Sequence, residues 1–163
     1  MSWPADEVTI KPRPDGVRDT HDFLTEEGTD IIFASYGLNE SYQGLSAVWQ
    51  YGEDLKRWLL ALLSHRYNGD SPPQIVLISP TAFESREYLP DAGARNHILR
   101  YYSLMMKQVA MELGIVFVDL YNPTVTNLES GDQTLTVNGI HLSRSGDWQV
   151  SQMMACLLYT SPS

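Results

Sequence analysis

The sequence predicts an α/β fold of three layers, an α/β/α sandwich in which helices cover both faces of a parallel sheet. Three apolar runs of strand length alternate with longer segments whose apolar residues recur at helical spacing. The runs lack polar alternation, which is typical of strands that are buried on both faces. Strands that alternate with helices of this length are joined by right-handed crossovers, so the sheet is expected to be parallel.

The three strands are predicted at Asp30 to Ser35, Ile75 to Ser79 and Ile115 to Leu120. Gly37 ends the first strand and Pro80 the second. Because ligands of parallel sheets bind beyond the carboxyl ends of the strands, the loops that follow these runs are expected to share one edge.

The helices are predicted between Gly44 and Tyr67, from about Ala92 to Leu113, and from Ser145 to Leu158. The polar, proline-rich segment 2–29 is expected to be mainly loop, with a strand-like piece at 8–10. The stretch after the third strand, which is rich in Asn, Thr and Gly, is also expected to be a loop.

Composition excludes several classes of function. The 163 residues are enough for one domain with a proper core, and 43% of them are hydrophobic. The formal net charge of -9 would repel phosphate backbones, so nucleic acid is not an expected partner. No apolar run is long enough to span a bilayer, and no membrane partner is expected.

Metal and cofactor sites are not indicated either. The single cysteine, Cys156, excludes an internal disulfide and any zinc site built from cysteines. The four histidines lack metal-ligand spacing, and no glycine-rich phosphate loop is present. The expected protein therefore uses neither a metal nor a cofactor.

Two short polar motifs could carry chemistry. The first, Gly37 to Glu40 (GLNE), follows a buried strand, and the second, 138–142 (NGIHL), precedes the last helix. The Asn39 amide could hold an oxyanion, and the His141 imidazole could act as a general base toward a hydroxyl nucleophile. In the structural alternative, Asn39 caps a helix and His141 is an ordinary loop residue. Glu84 could line the same pocket, although a loop glutamate is usually solvated.

With these motifs, the chain resembles the SGNH (GDSL-type) hydrolases, and most closely the branch found in planctomycete and related bacterial proteins. Segment 2–8 (SWPADEV) with Arg13-Pro14 resembles the second block of that branch, 37–41 (GLNES) the third, and 138–142 the last. The resemblance covers roughly residues 2–155 and implies a flavodoxin-like SGNH fold.

The resemblance also implies a role for each matched residue. Asn39 matches the oxyanion-hole asparagine, Ala5 the residue that donates its backbone N–H to the same oxyanion, and His141 the catalytic base. Gly37 is expected at the substrate. Asn138 occupies the position of the triad aspartate, so the enzyme would work as a Ser-His pair, or a backbone carbonyl would orient the histidine, or the site has become a binding pocket.

In the family, the nucleophilic serine lies in a first block that follows the first strand, and no Gly-Asp-Ser or equivalent motif precedes Trp3 here. The chain is therefore expected to be a fragment, lacking the first strand, nucleophile block and first helix of a longer, extracytoplasmic parent. Residues 1–155 would form the partial SGNH domain. The tail 156–163 resembles translated sequencing adapter, or is a natural polar helix end.

The resemblance implies an esterase that hydrolyses carboxylic esters, including carbohydrate O-acetyl esters, through a serine that lies upstream of this fragment. The alternative is a catalytically degenerate SGNH-fold domain for ligand binding or scaffolding. A flavodoxin-like nucleotide binder is disfavoured by the absence of a phosphate loop. The expected partner is a small-molecule or carbohydrate ester, and the sequence does not indicate an oligomeric state.

Overall fold

A computed structural model describes residues 6–11, 18–131 and 134–160. Within these ranges the chain forms three strands and five α-helices, with two short 3₁₀ helices after the first strand. The elements are α1 (Thr20–Glu26), β1 (Ile31–Ser35), the 3₁₀ helices Glu40–Gln43 and Leu45–Ala47, α2 (Val48–Leu63), β2 (Gln74–Ile78), α3 (Ala92–Leu113), β3 (Val116–Val118), α4 (Tyr121–Ser130) and α5 (Arg144–Thr160). No helix in the described ranges is both long and apolar enough to cross a membrane.

The strands form one parallel sheet in the order β1-β2-β3. Phe33 of β1 pairs with Val76 of β2, and Val76 pairs in turn with Val116 of β3. The predicted α/β fold with a parallel sheet is confirmed. The strand ends therefore meet at one edge, where the loops that follow β1, β2 and β3 begin.

The central strand β2 shows why the sheet needs two helical layers. Ile75 and Leu77 pack into one hydrophobic cluster, with α2 and α3, whereas Val76 and Ile78 pack into a second cluster, with α5. Successive side chains of a strand point to opposite faces, so an uninterrupted apolar run must be covered on both sides. The predicted burial of this run is confirmed.

The edge strand β1 differs from the prediction that it is buried on both faces. Ala34 is buried, but the side chains of Ile31 and Phe33 are 50% and 57% exposed. The register places Phe33 on the same sheet face as Val76, where the α5 cluster covers β2 and β3 but not β1. Among the described residues, no strand pairs with the outer edge of β1.

The first helix, α1, lies in the segment predicted to be mainly loop, and that prediction is wrong for Thr20–Glu26. The Asp19 side chain accepts a hydrogen bond from the His21 backbone N–H at 2.7 Å, which caps the helix. Asp22 adds a negative charge to the first turn, where the helix dipole favours it. The strand-like piece at 8–10 forms bends and irregular structure instead of a strand.

The helix α4 lies where a loop was predicted after the third strand, and both the local Asp119 carboxylate and a distant residue accept backbone N–H groups at its start. The Ser79 hydroxyl, at the end of β2, accepts the backbone N–H groups of Leu120 at 2.9 Å and Tyr121 at 3.0 Å. Pro123 falls in the first turn, where a helix needs no N–H donor. The third strand is correspondingly short, because the chain enters α4 directly after it.

The helix α2 is also shorter than predicted. Gly44 has φ 82° and ψ -176°, which is incompatible with a helix, so regular α-helix begins only at Val48. The helix ends at Leu63, and Tyr67 is then buried in the core after a turn. The helix α3 has the predicted bounds, and Gly114, at φ 65°, ends it.

Candidate functional site

The turn after β1 is held by a buried carboxylate. Glu40, only 5% exposed, accepts the backbone N–H of Val8 at 2.9 Å through one oxygen and that of Gly37 at 2.8 Å through the other. Gly37 has φ 100°, and a Cβ atom there would lie 3.1 Å from the Tyr51 hydroxyl. The turn can therefore accommodate only glycine at this position, and Glu40 ties it to the segment at residues 6–11.

The Asn39 side chain is available for chemistry because it does not cap the following helix. It makes no capping hydrogen bond to the 3₁₀ helix; instead its Nδ2 donates to the Asp6 backbone carbonyl at 3.1 Å. An amide nitrogen carries two hydrogens, so a second donor remains for a ligand. Asp6 follows Ala5 directly in the sequence, so the contact brings Asn39 next to the residue that follows Ala5. Ala5 itself lies outside the described residues.

The second candidate, His141, is an exposed residue in a tight turn. Its backbone carbonyl accepts the Val137 N–H at 2.9 Å, and a bridge between Thr136 and Leu142 closes the turn. Asn138 Oδ1 accepts the His141 backbone N–H at 2.8 Å. Gly139, at φ 82°, provides the left-handed residue that the turn requires.

Asn138 also touches the His141 ring. The ring Nδ1 lies 3.1 Å from Asn138 Oδ1 and 2.9 Å from Asn138 Nδ2. If Nδ1–H donates to Oδ1, the ring Nε2 is free to accept a proton, as a general base requires. If Nδ2 donates to Nδ1, the hydrogen sits on Nε2 instead. An amide thus orients the ring without selecting its tautomer as a carboxylate would.

A cavity of about 770 Å³ connects the two motifs. It runs along the open edge of β1, and its lining includes Gly37, Asn39, the β2 end at 79–81, and Leu142, the residue next to His141. Asn39 therefore borders the cavity directly, whereas His141 is not among the residues that line it. One end of the cavity reaches the carboxyl edge of the sheet, where ligands of parallel sheets bind.

Glu84 and Thr136 are site-related residues whose roles the sequence did not indicate. Glu84 is buried rather than solvated, and it does not line the cavity; its carboxylate binds Thr136 in the turn that carries His141. The two residues are 52 positions apart, so no local pattern could have linked them. A glutamate in a loop that follows a buried strand was the sole signal.

Metal binding finds no support in the described ranges. Within residues 6–11, 18–131 and 134–160, no group of three or more His, Cys, Asp or Glu side chains could hold a metal ion.

Burial raises the pKa of Glu40, and the charge of Glu7 adds to this effect, although hydrogen bonds from backbone N–H groups oppose it. The native chain therefore holds a proton at Glu40 more readily than the unfolded chain does. The stability that this group contributes is complete below its ordinary pKa of 4.5 and is lost as the pH rises through the raised value.

We expect the free energy of unfolding of the wild type, measured by urea denaturation relative to Glu40→Gln, to fall as the pH rises above the ordinary pKa of 4.5 and through the raised value. Glutamine does not titrate, so the difference isolates this carboxyl group. The exposed Glu87→Gln variant is the matched control and should show no such trend. A wild-type advantage that stays constant across the range would contradict a raised pKa at Glu40.

No protein-family model matches this sequence, and a comparison with characterised proteins by sequence finds no match. Solved structures do match. An acetylxylan esterase from Geobacillus stearothermophilus is 16% identical, with a TM-score of 0.61 over 86% of this chain and 68% of that chain. A second acetylxylan esterase, AlAXEase, is 17% identical, with a TM-score of 0.65 over 83% of this chain and 70% of that one.

The structure of a carbohydrate acetylesterase from Sinorhizobium meliloti also matches this chain. It is 14% identical, with a TM-score of 0.60 over 95% of this chain and 73% of that chain. At such identities the likeness concerns the course of the backbone rather than particular side chains. The chain therefore has the α/β fold of the SGNH-type esterases.

Proposed function

We propose that this chain is part of a serine esterase in which Asn39 binds the oxyanion, His141 is the general base, and the nucleophilic serine is supplied by a strand that precedes residue 1 in the parent protein. The observation that carries the proposal is the cavity along the open edge of β1, whose lining includes both Asn39 and Leu142. The neighbouring esterase folds support the same reaction class.

The unpaired outer edge of β1 supports the position of the upstream strand. Among the described residues no strand pairs with that edge, and the side chains of Ile31 and Phe33 on one face of β1 are also about half exposed. An unpaired strand edge carries free N–H and C=O groups that pair readily with another strand. A parallel strand beside β1 would end at the same edge of the sheet, and a serine at its end would enter the cavity beside Asn39.

The proposed reaction proceeds in two halves. The serine oxygen attacks the ester carbonyl carbon while His141 Nε2 accepts its proton, and the oxyanion that forms is held by the Asn39 side-chain N–H and the Ala5 backbone N–H. The intermediate collapses to an acyl-enzyme as His141 gives the proton to the leaving alcohol. Water, activated by His141, then releases the acid and restores the serine.

We infer a neutral acetylated carbohydrate or another small ester as the substrate. Structural neighbours are acetylxylan and carbohydrate acetylesterases, which supports a small acyl group on a carbohydrate. The net charge of -9 disfavours polyanionic ligands. The loop at 82–91 and the helix α4 would shape the alcohol pocket.

The direct test is acetate release from acetylated xylo-oligosaccharides and from p-nitrophenyl acetate by the parent protein. The parent should hydrolyse both, whereas a variant with the upstream serine changed to alanine, and the present 163-residue chain alone, should not. A parent reading frame without a serine at the end of the strand before residue 1, or hydrolysis that survives the loss of that serine, would refute the mechanism.

A ligand-binding domain without turnover is the second candidate, and Asn138 favours it. A carboxylate at this position would hold Nδ1–H and stabilise the imidazolium, and an amide supplies no charge. We expect Asn138→Asp to raise the turnover number of the parent at least tenfold if the site is a working but weakened esterase.

The Asn138→Asp result separates the two candidates when it is measured beside Asn127→Asp, a matched change at another half-buried asparagine. That control should leave turnover unchanged. A parent that binds acetylated oligosaccharide in calorimetry, yet releases no acetate with either residue at position 138, would favour the binding domain.

A further inference from the structure

Glu84 is a buried carboxylate in the loop that follows β2. It is 7% exposed, and its Oε2 accepts the Thr136 backbone N–H at 2.7 Å and the Thr136 hydroxyl. The same oxygen accepts a hydrogen bond from the Arg86 guanidinium at 3.1 Å. One carboxylate thus joins two loops that are 52 residues apart in sequence.

Further bonds connect the loop at 84–89 to the turn at 136–141. The Glu84 backbone N–H donates to the Gly139 carbonyl at 2.9 Å, and the Gly139 N–H donates to the Thr136 hydroxyl oxygen at 2.9 Å. Arg86 donates to the Thr136 carbonyl, and the Tyr88 hydroxyl donates to the Val137 carbonyl at 2.8 Å. The loop therefore holds the turn along most of its length.

The fit between the two segments is close. A Cβ atom at Gly139 would lie 2.8 Å from the Glu84 carbonyl oxygen and 2.6 Å from the Leu89 side chain. Thr136 is 3% exposed, so its hydroxyl has no access to solvent and needs the Glu84 carboxylate as acceptor. Loss of that acceptor would leave a buried hydroxyl and a buried backbone N–H without their shared partner.

His141 depends on this support because its own surroundings are open. The residue is exposed, and its ring is contacted through hydrogen bonds by Asn138, which belongs to the same turn. The position of the imidazole is therefore set by the position of the turn. Glu84 itself does not line the cavity, so it acts on His141 without touching a ligand.

We propose that Glu84 is a positioning residue that holds the Thr136 end of the turn and thereby aims His141 at the cavity. Its importance for hydrolysis rests on the proposed esterase function, whereas the orientation of the ring can be measured without any substrate. A general base misplaced by about 1 Å can lose up to about a hundredfold in rate, so a small shift of the turn would matter.

The first experiment records the ring nitrogen signals of His141 by NMR in this 163-residue chain, for the wild type, Glu84→Gln and Glu87→Gln. Glu87 is exposed in the same loop and serves as the matched control. Glu84→Gln should change the tautomer signature of the ring and broaden its signals, and Glu87→Gln should not. Unchanged ring signals in Glu84→Gln, with shifted Thr136 amide signals, would overturn the proposal.

A second variant covers the case in which Glu84→Gln does not fold. Thr136→Val keeps the shape of the side chain but removes the hydroxyl that Glu84 and Gly139 share. It should alter the ring signals in the same direction, and Thr136→Ser should restore them. A folded Thr136→Val chain with wild-type ring signals would likewise overturn the proposal.

The second experiment is a double-mutant cycle in the parent esterase. Glu84→Gln should lower kcat about tenfold or more with little change in KM, and it should have no further effect in the His141→Ala background. An equal loss in both backgrounds would assign Glu84 a role in overall stability alone and overturn the positioning role. A parent without activity would refute the proposed function, while the NMR result would still decide the role of Glu84.

Discussion

The Gly146→Ala variant should unfold far more easily than the wild type, with a loss of about 3 kcal/mol in the free energy of unfolding. Gly146 lies in the first turn of α5 against the backbone of Leu135, and an added Cβ atom would overlap the Leu135 carbonyl oxygen. That carbonyl also accepts the Ser143 N–H at 2.8 Å, so it cannot move away without breaking a bond. A methyl group would therefore push α5 off the segment that leads into the His141 turn.

The matched control is Gly93→Ala, which changes a glycine in the first turn of α3. Nothing lies within 4 Å of a Cβ atom there, so the free energy of unfolding should stay the same or rise by up to about 1 kcal/mol. Urea denaturation of the wild type and the two variants measures both changes in the free energy of unfolding. In a thermal scan, the midpoint temperature of Gly146→Ala should lie roughly 10 °C below that of the wild type. Equal stability of the two variants would show that α5 and Leu135 do not approach so closely.

In the proposed parent esterase, His141→Ala should lower kcat by about a hundredfold to ten-thousandfold, and Asn39→Ala by about a hundredfold to a thousandfold. The first change removes the proposed base that takes the serine proton, and the second removes the proposed donor to the oxyanion. Both interactions strengthen in the transition state, so KM should change little. Initial rates with p-nitrophenyl acetate measure each effect.

Two matched variants separate chemistry from folding. His97 is an exposed histidine on α3 whose ring meets that of Tyr101, and Asn127 is half-buried on α4. His97→Ala and Asn127→Ala should retain the turnover number of the parent. Rates for His141→Ala and Asn39→Ala that equal those of these controls would remove both residues from the mechanism.

The strand β2 illustrates what could be predicted from the sequence. Its run of apolar residues requires cover on both faces, and the structure places Leu77 and Ile78 in clusters on opposite sides of the sheet. The parallel sheet follows from the alternation of such runs with helices. The grouping of the Asn39 and His141 motifs at one edge follows from the same reasoning, and the shared cavity agrees with it.

The helix α4 illustrates what could not be predicted. Its first turn is rich in residues that favour loops, and two backbone N–H groups at its start donate to the Ser79 hydroxyl, which is 41 positions from Leu120 in the chain. The role of Glu84 was equally hidden, because its partner Thr136 is 52 positions away. A glutamate or serine in a loop has the same local pattern whether it is solvated or caps a distant backbone.

The sequence by itself determined the approximate positions of the three strands and of the helices α2, α3 and α5, the parallel order of the sheet, and which two motifs could supply an amide donor and an imidazole. Those properties depend on hydrophobic periodicity, which each segment carries alone. Only the tertiary structure decided that β1 is a half-exposed edge strand beside a cavity and that a buried carboxylate holds the His141 turn. Burial and hydrogen-bond partners depend on tertiary contacts between segments that are far apart in the chain. The local residue pattern of one segment does not specify those contacts.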